Sequence, residues 1–207
     1  MADEHKRSKA HFRRLVKERF RTLSVGDRER LSKLICQRSL HLLRSIGAHT
    51  VMLYVPMHDE VDVEPLIRSL LGEGVRVCLP RIEKPLCKVT PRLISSFDEQ
   101  IAIGTFGIRE PKEECQVVPL DEIEVVIVPG RAFDEQCKRI GRGGGYYDRF
   151  LCELPETACS IGVAFEFQVF DSIPADENDI SVDCIITERR IIFSERFVRR
   201  FGACISW

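Results

Sequence analysis

No run of apolar residues in this sequence approaches the ~20 that a membrane-spanning helix requires, and the first residues are charged from Asp3 onward, without the apolar core of a secretory leader. Neither membrane insertion nor secretion is expected, and the expected location is the cytosol. Net charge is also scarce: 31 Lys and Arg stand against 32 Asp and Glu, a formal −1, so bulk charge gives no pull toward nucleic acid. Nine cysteines are present, yet none forms a C-x-x-C pair, so neither a zinc knuckle nor a disulfide framework is indicated, and most read as small buried hydrophobes. No internal repeat, low-complexity tract or linker divides the chain. At 207 residues, 44% apolar and 30% charged, it is long enough for one globular domain with a substantial core.

Glycine, by contrast, is concentrated. Gly141-Arg142-Gly143-Gly144-Gly145-Tyr146-Tyr147-Asp148-Arg149 holds four glycines in five positions. Because glycine tolerates φ > 0 and close backbone approach, such a loop aims several N–H groups at one anion. Tyr147, Phe150 and Leu151 then fall at helical spacing, which places the loop at a helix N-terminus, where the dipole adds to the amides. Asp148 and Arg149 on the first turn would face the bound group. The competing reading is a flexible surface turn.

Upstream, the spacing predicts a helix over Lys6–Leu23, with Phe12, Leu15/Val16, Phe20 and Leu23 on one stripe and Lys9, Arg13, Lys17 and Arg21 on another. Cations spaced four apart repel one another. They are either a solvated face or the footprint of a polyanion. Ser24 with Asp27 at N3 opens a second helix that Gly47 closes. From residue 50 the pattern becomes α/β, with strands expected at Val51–Val55, Val75–Leu79, Ile123–Val128, Ile161–Ala164, Val182–Thr187 and Arg190–Phe193. Asp62 is expected to cap a helix with Pro65 in its first turn, making a βαβ unit. Lys88–Ile94, flanked and interrupted by Pro85 and Pro91, reads as an edge strand. The fold class is α/β, a mostly parallel open sheet with helices on both faces, in a single domain over 1–207: a basic helical segment 6–47, a sheet core 50–194 and an unassigned tail 195–207.

Ligands of open α/β sheets gather beyond the carboxyl ends of the strands. Here those positions are polar: Pro56-Met57-His58-Asp59-Glu60, Pro80-Arg81, then Pro129-Gly130-Arg131 with Arg139, Arg142 and Asp148. Met57 and Phe106 would supply an apolar wall. Nucleotide chemistry with Mg²⁺ suits this set. The common nucleotide fingerprints nevertheless fail: no Lys-Ser/Thr follows the glycines, and the G-x-G-x-x-G register breaks at Tyr146.

Nearly the whole chain resembles the 5-formyltetrahydrofolate cyclo-ligase family. The resemblance rests on Lys9-x-x-x-Arg13, Tyr54-Val-Pro-Met57-x-Asp59-Glu60, Leu79-Pro80-Arg81, Phe106-Gly-Ile-x-Glu110-Pro111, Val128-Pro-Gly-x-Ala-Phe133-Asp134, Arg139-Ile-Gly141-x-Gly143-x-Gly145-Tyr-Tyr-Asp148-Arg149 and Asn178-Asp179-x-x-x-Asp183, in that order. It implies ATP- and Mg²⁺-dependent closure of 5-formyltetrahydrofolate to 5,10-methenyltetrahydrofolate, with ADP and phosphate released. By the resemblance, ATP is held by Lys9, Arg13 and the segment Arg139, Gly141, Arg142, Gly143, Gly144, Gly145, Tyr146 and Tyr147. Folate contacts fall on Val55, Met57, Glu60, Phe106, Arg142 and Tyr146, the metal on Asp148 and Asp179, and catalytic work on Arg142, Tyr146 and Arg149. Some relatives carry lysine at the Gly144 position, so the cation near the transferred phosphoryl group must come from elsewhere, with Arg142 and Arg149 the candidates.

Two other classes share parts of this pattern. A kinase or isomerase for a small phosphorylated sugar uses a similar sheet and anion loop but has no need of the paired tyrosines with Lys-x-x-x-Arg. A nucleic-acid-binding module would explain the basic helix, and the near-zero net charge opposes it. The sequence does not fix an oligomeric state, and a monomer is the expectation.

Overall fold

The computed structural model describes residues 8–204, apart from the side chains of Pro85 and Phe106. Six helices, α1 (Lys9–Thr22), α2 (Val25–Ser45), α3 (Glu64–Gly72), α4 (Phe97–Gln100), α5 (Tyr146–Glu153) and α6 (Glu195–Phe201), surround twelve strands. These are β1 (Thr50–Met52), β2 (Arg76–Glu83), β3 (Lys88–Ile94), β4 (Ile101–Ile103), β5 (Arg109–Pro111), β6 (Val125–Val128), β7 (Ala132–Asp134), β8 (Arg139–Ile140), β9 (Cys159–Val163), β10 (Val169–Phe170), β11 (Cys184–Ile186) and β12 (Ile191–Phe193). The main sheet has the order β12-β11-β9-β6-β1-β2-β3. Its five inner strands are parallel, and β3 and β12 close the two edges antiparallel.

Alternation along the inner strands divides the core between the two faces. Val51, Val77, Val125, Ile127, Ile161 and Ile186 point to the side covered by Ile35 and Leu42 of α2, Leu66 and Ile67 of α3 and Phe197 of α6. Met52, Cys78, Val126, Val128 and Ile185 point to the other, against Phe150 and Leu151 of α5. Both faces are therefore covered, as strands that are apolar on both sides require. Six of the nine cysteines are buried among these residues.

The predicted βαβ unit is β1-α3-β2. Its cap differs from expectation: Val63 is the N-cap and offers no side-chain bond, while Asp62 Oδ1 accepts from the Glu64 amide at 3.1 Å just ahead of the helix. The first strand also ends early. Leu53 N still donates to Cys78 O at 2.9 Å, after which Tyr54–Pro56 leave the ladder for the sheet's carboxyl end. In the edge pair, Pro80 lies opposite Pro91, so two residues lacking N–H face each other where the ladder loses little. Ser24 caps α2 as expected, accepting from Asp27 N at 3.0 Å, and Gly47 beyond it takes φ +67°. Helix α1 begins at Lys9 under a Ser8 cap, and the predicted Lys6 start lies outside the described residues. Part of the unassigned tail is α6, capped by Ser194.

One small sheet, β10-β7-β8, does most to position the site. Phe12 and Val16 of α1 pack on its Ala132 and Ile140, not on the main sheet. Asp134, fully buried, accepts from Gln136 N and Lys138 N at 3.0 Å and from Ile173 N at 3.1 Å. These bonds set the β7–β8 turn, in which Cys137 adopts φ +61°. The turn feeds β8 directly into the glycine loop.

Candidate active site

The strand order changes direction between β1 and β6, and the segments leaving these two strands carry Met57–Glu60 and Pro129–Arg131 toward the glycine loop. Within that loop Gly143 takes φ +110° and Gly145, the N-cap of α5, takes φ +66°. Gly141 and Gly144 serve instead by lacking bulk: a Cβ on either would lie 2.9 Å from Arg139 Nη1 or Tyr146 Cδ2.

Two cavities flank the loop. One, of about 270 Å³, is walled by Tyr54, Val55, Met57, Pro80, Ile82, Val89, Ile108 and Tyr146, with Glu60, Arg139, Arg142 and Tyr147 supplying polar groups. The other, of about 550 Å³, is lined by Lys9, Arg13, Gly141, Gly143, Arg149, Asp176 and Asp179. Gly141, Gly145 and Asp148 border both. The loop is thus a shared wall between a mostly apolar pocket and a charged one.

Salt bridges hold the walls. Arg13 Nε donates to Gly141 O at 2.8 Å, tying α1 to the loop. Lys9 Nζ bridges Asp176, at 2.6 Å, and Asp179. Burial pushes the Asp179 carboxyl up, but Lys9 outweighs it and holds the group below the usual carboxylate range. Arg139, almost completely buried, places Nη2 2.6 Å from Asp148 Oδ1. Arg142 donates from Nε to Glu60 Oε1 at 2.9 Å and from Nη2 to Asp59 Oδ1 at 2.5 Å. Arg131 grips the other Asp59 oxygen at 2.5 Å. Burial opposes ionisation of Asp59, and the two guanidiniums overcome it, lowering its pKa. Arg149 donates to Gly144 O at 2.9 Å and Cys87 O at 3.2 Å, with its guanidinium over the Tyr146 ring.

A model of the 5-formyltetrahydrofolate cyclo-ligase family matches residues 5–188. The chain belongs to this family. It is an enzyme of the cyclo-ligase class. It is 28% identical over 179 residues to the 5-formyltetrahydrofolate cyclo-ligase of Escherichia coli strain K12, covering 86% of this chain and 98% of that one. To the mouse enzyme of the same name it is 29% identical over 192 residues, covering 87% and 94%. The solved structure of Aquifex aeolicus 5,10-methenyltetrahydrofolate synthetase superposes with a TM-score of 0.80 at 33% identity, over 90% of this chain and 93% of that one. A 5,10-methenyltetrahydrofolate synthetase from Mycoplasma pneumoniae, at 24% identity and a TM-score of 0.71, shares the fold.

Set on this cyclo-ligase fold, the residues expected from sequence divide between the two cavities. Val55, Met57, Glu60, Arg142 and Tyr146 line the apolar one, and Lys9, Arg13, Gly143, Arg149 and Asp179 the charged one. Arg139, Gly144 and Tyr147, grouped with ATP in the sequence, border the apolar cavity. Phe106 belongs to a turn at Thr105–Gly107, and its side chain lies outside the described residues. That turn is pinned by buried Glu110, which accepts from Thr105 N at 2.9 Å and Ile82 N at 3.1 Å. Sequence reasoning missed Ile82 of β2, Val89 of β3 and Ile108 after the Thr105–Gly107 turn as wall, since an apolar residue carries no mark in sequence of which cavity it faces. Arg131 was visible only as a polar residue beyond a strand end, and Asp59 as that and as a position of the resemblance, with no role for either.

Among the described residues no three or more His, Cys, Asp or Glu gather into a metal cage. Asp148 and Asp179 both border the charged cavity. Two carboxylates, with phosphate oxygens and water completing the shell, are the donor set Mg²⁺ favours, so these residues fit that ion. No helix among those described is long and apolar enough to cross a membrane.

Proposed function

We propose that this protein converts 5-formyltetrahydrofolate to 5,10-methenyltetrahydrofolate at the expense of ATP, with Mg²⁺ and release of ADP and phosphate. The observation that carries the reading is the pair of cavities sharing the glycine loop as their common wall. A formamide oxygen is a poor leaving group. Moving a phosphoryl group onto it makes it a good one, so that N10 closes the ring on the formyl carbon and phosphate departs. Such a transfer demands positioning and charge neutralisation more than covalent help from the protein.

Each cavity suits one reactant. The apolar pocket, with a few convergent polar groups, suits the flat reduced pterin and its N–H donors, for which Glu60 is the acceptor. The charged pocket suits a triphosphate: Lys9 and Arg13 reach it from α1, and the loop amides and the α5 N-terminus add their dipoles. Asp148 and Asp179 would hold Mg²⁺, which supplies charge neutralisation at the phosphates. Arg149 is the better placed substitute for the lysine of some relatives, because it lines the charged cavity and is anchored on the Gly144 carbonyl itself. Arg142 faces the apolar side, where it orients the folate and the formyl group.

The test is direct. Protein mixed with 5-formyltetrahydrofolate, ATP and Mg²⁺ should develop the near-ultraviolet absorbance of the methenyl product, with one ADP formed per product. No product above the protein-free control, with folded protein, sinks the proposal.

A further inference from the structure

The arginine that faces the apolar cavity sits where its own backbone cannot fix it. Arg142 stands between Gly141 and Gly143, the latter at φ +110°, in a loop chosen for conformational freedom, and its side chain is 37% exposed. What fixes the guanidinium is its partners. Glu60 takes Nε and Asp59 takes Nη2. Asp59 is in turn held from behind: Arg131 Nη2 meets its second oxygen at 2.5 Å and Arg131 Nη1 donates to its backbone carbonyl at 3.2 Å. The side chains of Asp59 and Arg131 are only 12% and 11% exposed. Arg131 is itself anchored, since buried Gln168 donates to the carbonyls of Gly130 and Arg131 at 2.9 and 3.1 Å and accepts from Phe165 N at 2.9 Å. The turn bearing Asp59 is braced by Arg28, which donates to the carbonyls of Met57 and Glu60 at 3.0 and 3.1 Å. A chain of bonds thus runs from the end of β9, through the segment after β6 and the turn after β1, to the glycine loop.

We propose that Asp59 is a positioning residue that, backed by Arg131, aims the Arg142 guanidinium at the folate. This rests on the reading of Arg142 as a substrate-contacting residue. Two carboxylates and two guanidiniums make the cluster neutral as a set, and each of the two oxygens of Asp59 is committed to one arginine. Replacing Asp59 with asparagine keeps its shape but leaves one arginine facing an amide N–H, a donor against a donor. The amide oxygen goes to Arg131, the more deeply buried of the two at 11% against 37% exposed, so Arg142 keeps Glu60 alone and swings within a loop that offers no other restraint. A misaimed contact reduces transition-state stabilisation without any loss of the fold.

A double-mutant cycle tests this. Asp59→Asn should lower kcat/KM for 5-formyltetrahydrofolate about tenfold, and leave KM for ATP within about twofold. In an Arg142→Ala background the same substitution should cost less than about twofold, because nothing remains to be aimed. Should Asp59→Asn fold poorly, Arg131→Gln removes the backing from the far side and should show a smaller loss that also vanishes in the Arg142→Ala background. An equal loss in both backgrounds, tracking a lowered Tm, would make Asp59 a structural residue and overturn the assignment. If Arg142→Ala itself leaves folate kinetics unchanged, the reading of Arg142 fails first, and the positioning role falls with it.

Discussion

Arg13 Nε and Gly141 O lie 2.8 Å apart across 128 positions of sequence. This bond joins a helix that packs on the small sheet to the loop dividing the two cavities, whereas Lys17 and Arg21 of the same stripe are exposed. Arg13 is not a solvated decoration. Its guanidinium is held at the charged cavity, where a Cβ on Gly143 would lie 3.7 Å from its Cζ.

Arg13→Ala should therefore reduce kcat/KM for ATP on the order of ten- to a hundredfold, the worth of a charge-assisted phosphate contact of roughly 1.5–3 kcal/mol. Added salt should narrow the gap by screening the wild-type contact. Steady-state kinetics at two ionic strengths checks both. Unaltered ATP kinetics in a folded variant would return the helix to a purely structural role.

Asp148 carries two duties that pull against a simple test. It faces the charged cavity, and it is also the ion-pair partner of Arg139, whose side chain is 2% exposed. Asp148→Asn removes that charge and leaves a buried guanidinium with only neutral acceptors, the new amide oxygen and the Pro129 carbonyl at 3.4 Å, while Arg139 Nε has no partner among the described residues. Stability should fall by about 2 kcal/mol or more, read as a shift in the denaturant midpoint, along with turnover. Added Mg²⁺ should recover part of the turnover and none of the stability. Recovery of neither would assign Asp148 to Arg139 alone.

The α/β class and the βαβ unit were legible because apolar strand runs, caps and glycines act locally. So was the glycine loop. Element ends were less so: Val51–Val55 read as one strand, yet its last residues leave the ladder to build the site. The small sheet was missed because Ala132–Asp134 and Arg139–Ile140 are too short to show a period, and the turn joining them depends on three bonds to the buried side chain of Asp134. For the same reason, single-residue spacing did not separate the two sides of the loop. Tyr146 and Tyr147 are adjacent in sequence with Asp148, yet both tyrosines line the apolar cavity, while Asp148 borders both.

Tyr147 lines the apolar cavity and not the charged one. Its hydroxyl is buried, without a hydrogen-bond partner among the described residues, in the wall of the apolar cavity. Burial, and after it the Glu60 charge, pushes the phenol well above its usual pKa, so it stays a donor. A buried donor left unmade costs about 1–3 kcal/mol, which a ligand acceptor would recover. Tyr147→Phe should leave the free protein as stable or slightly more so, and should raise KM for 5-formyltetrahydrofolate about tenfold with KM for ATP nearly unchanged. A KM change confined to ATP would instead place this hydroxyl on the nucleotide.

The Lys9–Asp179 pair bears on folding and on ligand binding differently. Asp179 is held below its usual pKa, so its contribution to stability is complete above the unfolded carboxylate value of about 4 and is lost as pH falls through the lower folded value. For Lys9, burial lowers the pKa but the hydrogen bonds to Asp176 and Asp179 more than offset it, and the net shift is upward. Its contribution is complete below about 10.4 and is lost as pH rises through the higher folded value. Between about pH 5 and 9 both groups are charged, so the difference in Tm between wild type and Asp179→Asn should be flat there and shrink in acid. Ligand binding should cross over. Without Mg²⁺, Asp179 competes with phosphate for Lys9 and repels the nucleotide, so Asp179→Asn should bind ATP as well as wild type or better. With Mg²⁺, the same carboxylate would serve as a ligand to the ion, and its loss should then weaken ATP binding by about tenfold. Calorimetric titration of ATP with and without Mg²⁺ reads both arms, and a change of equal size and sign in the two would show that Asp179 serves only the ion pair.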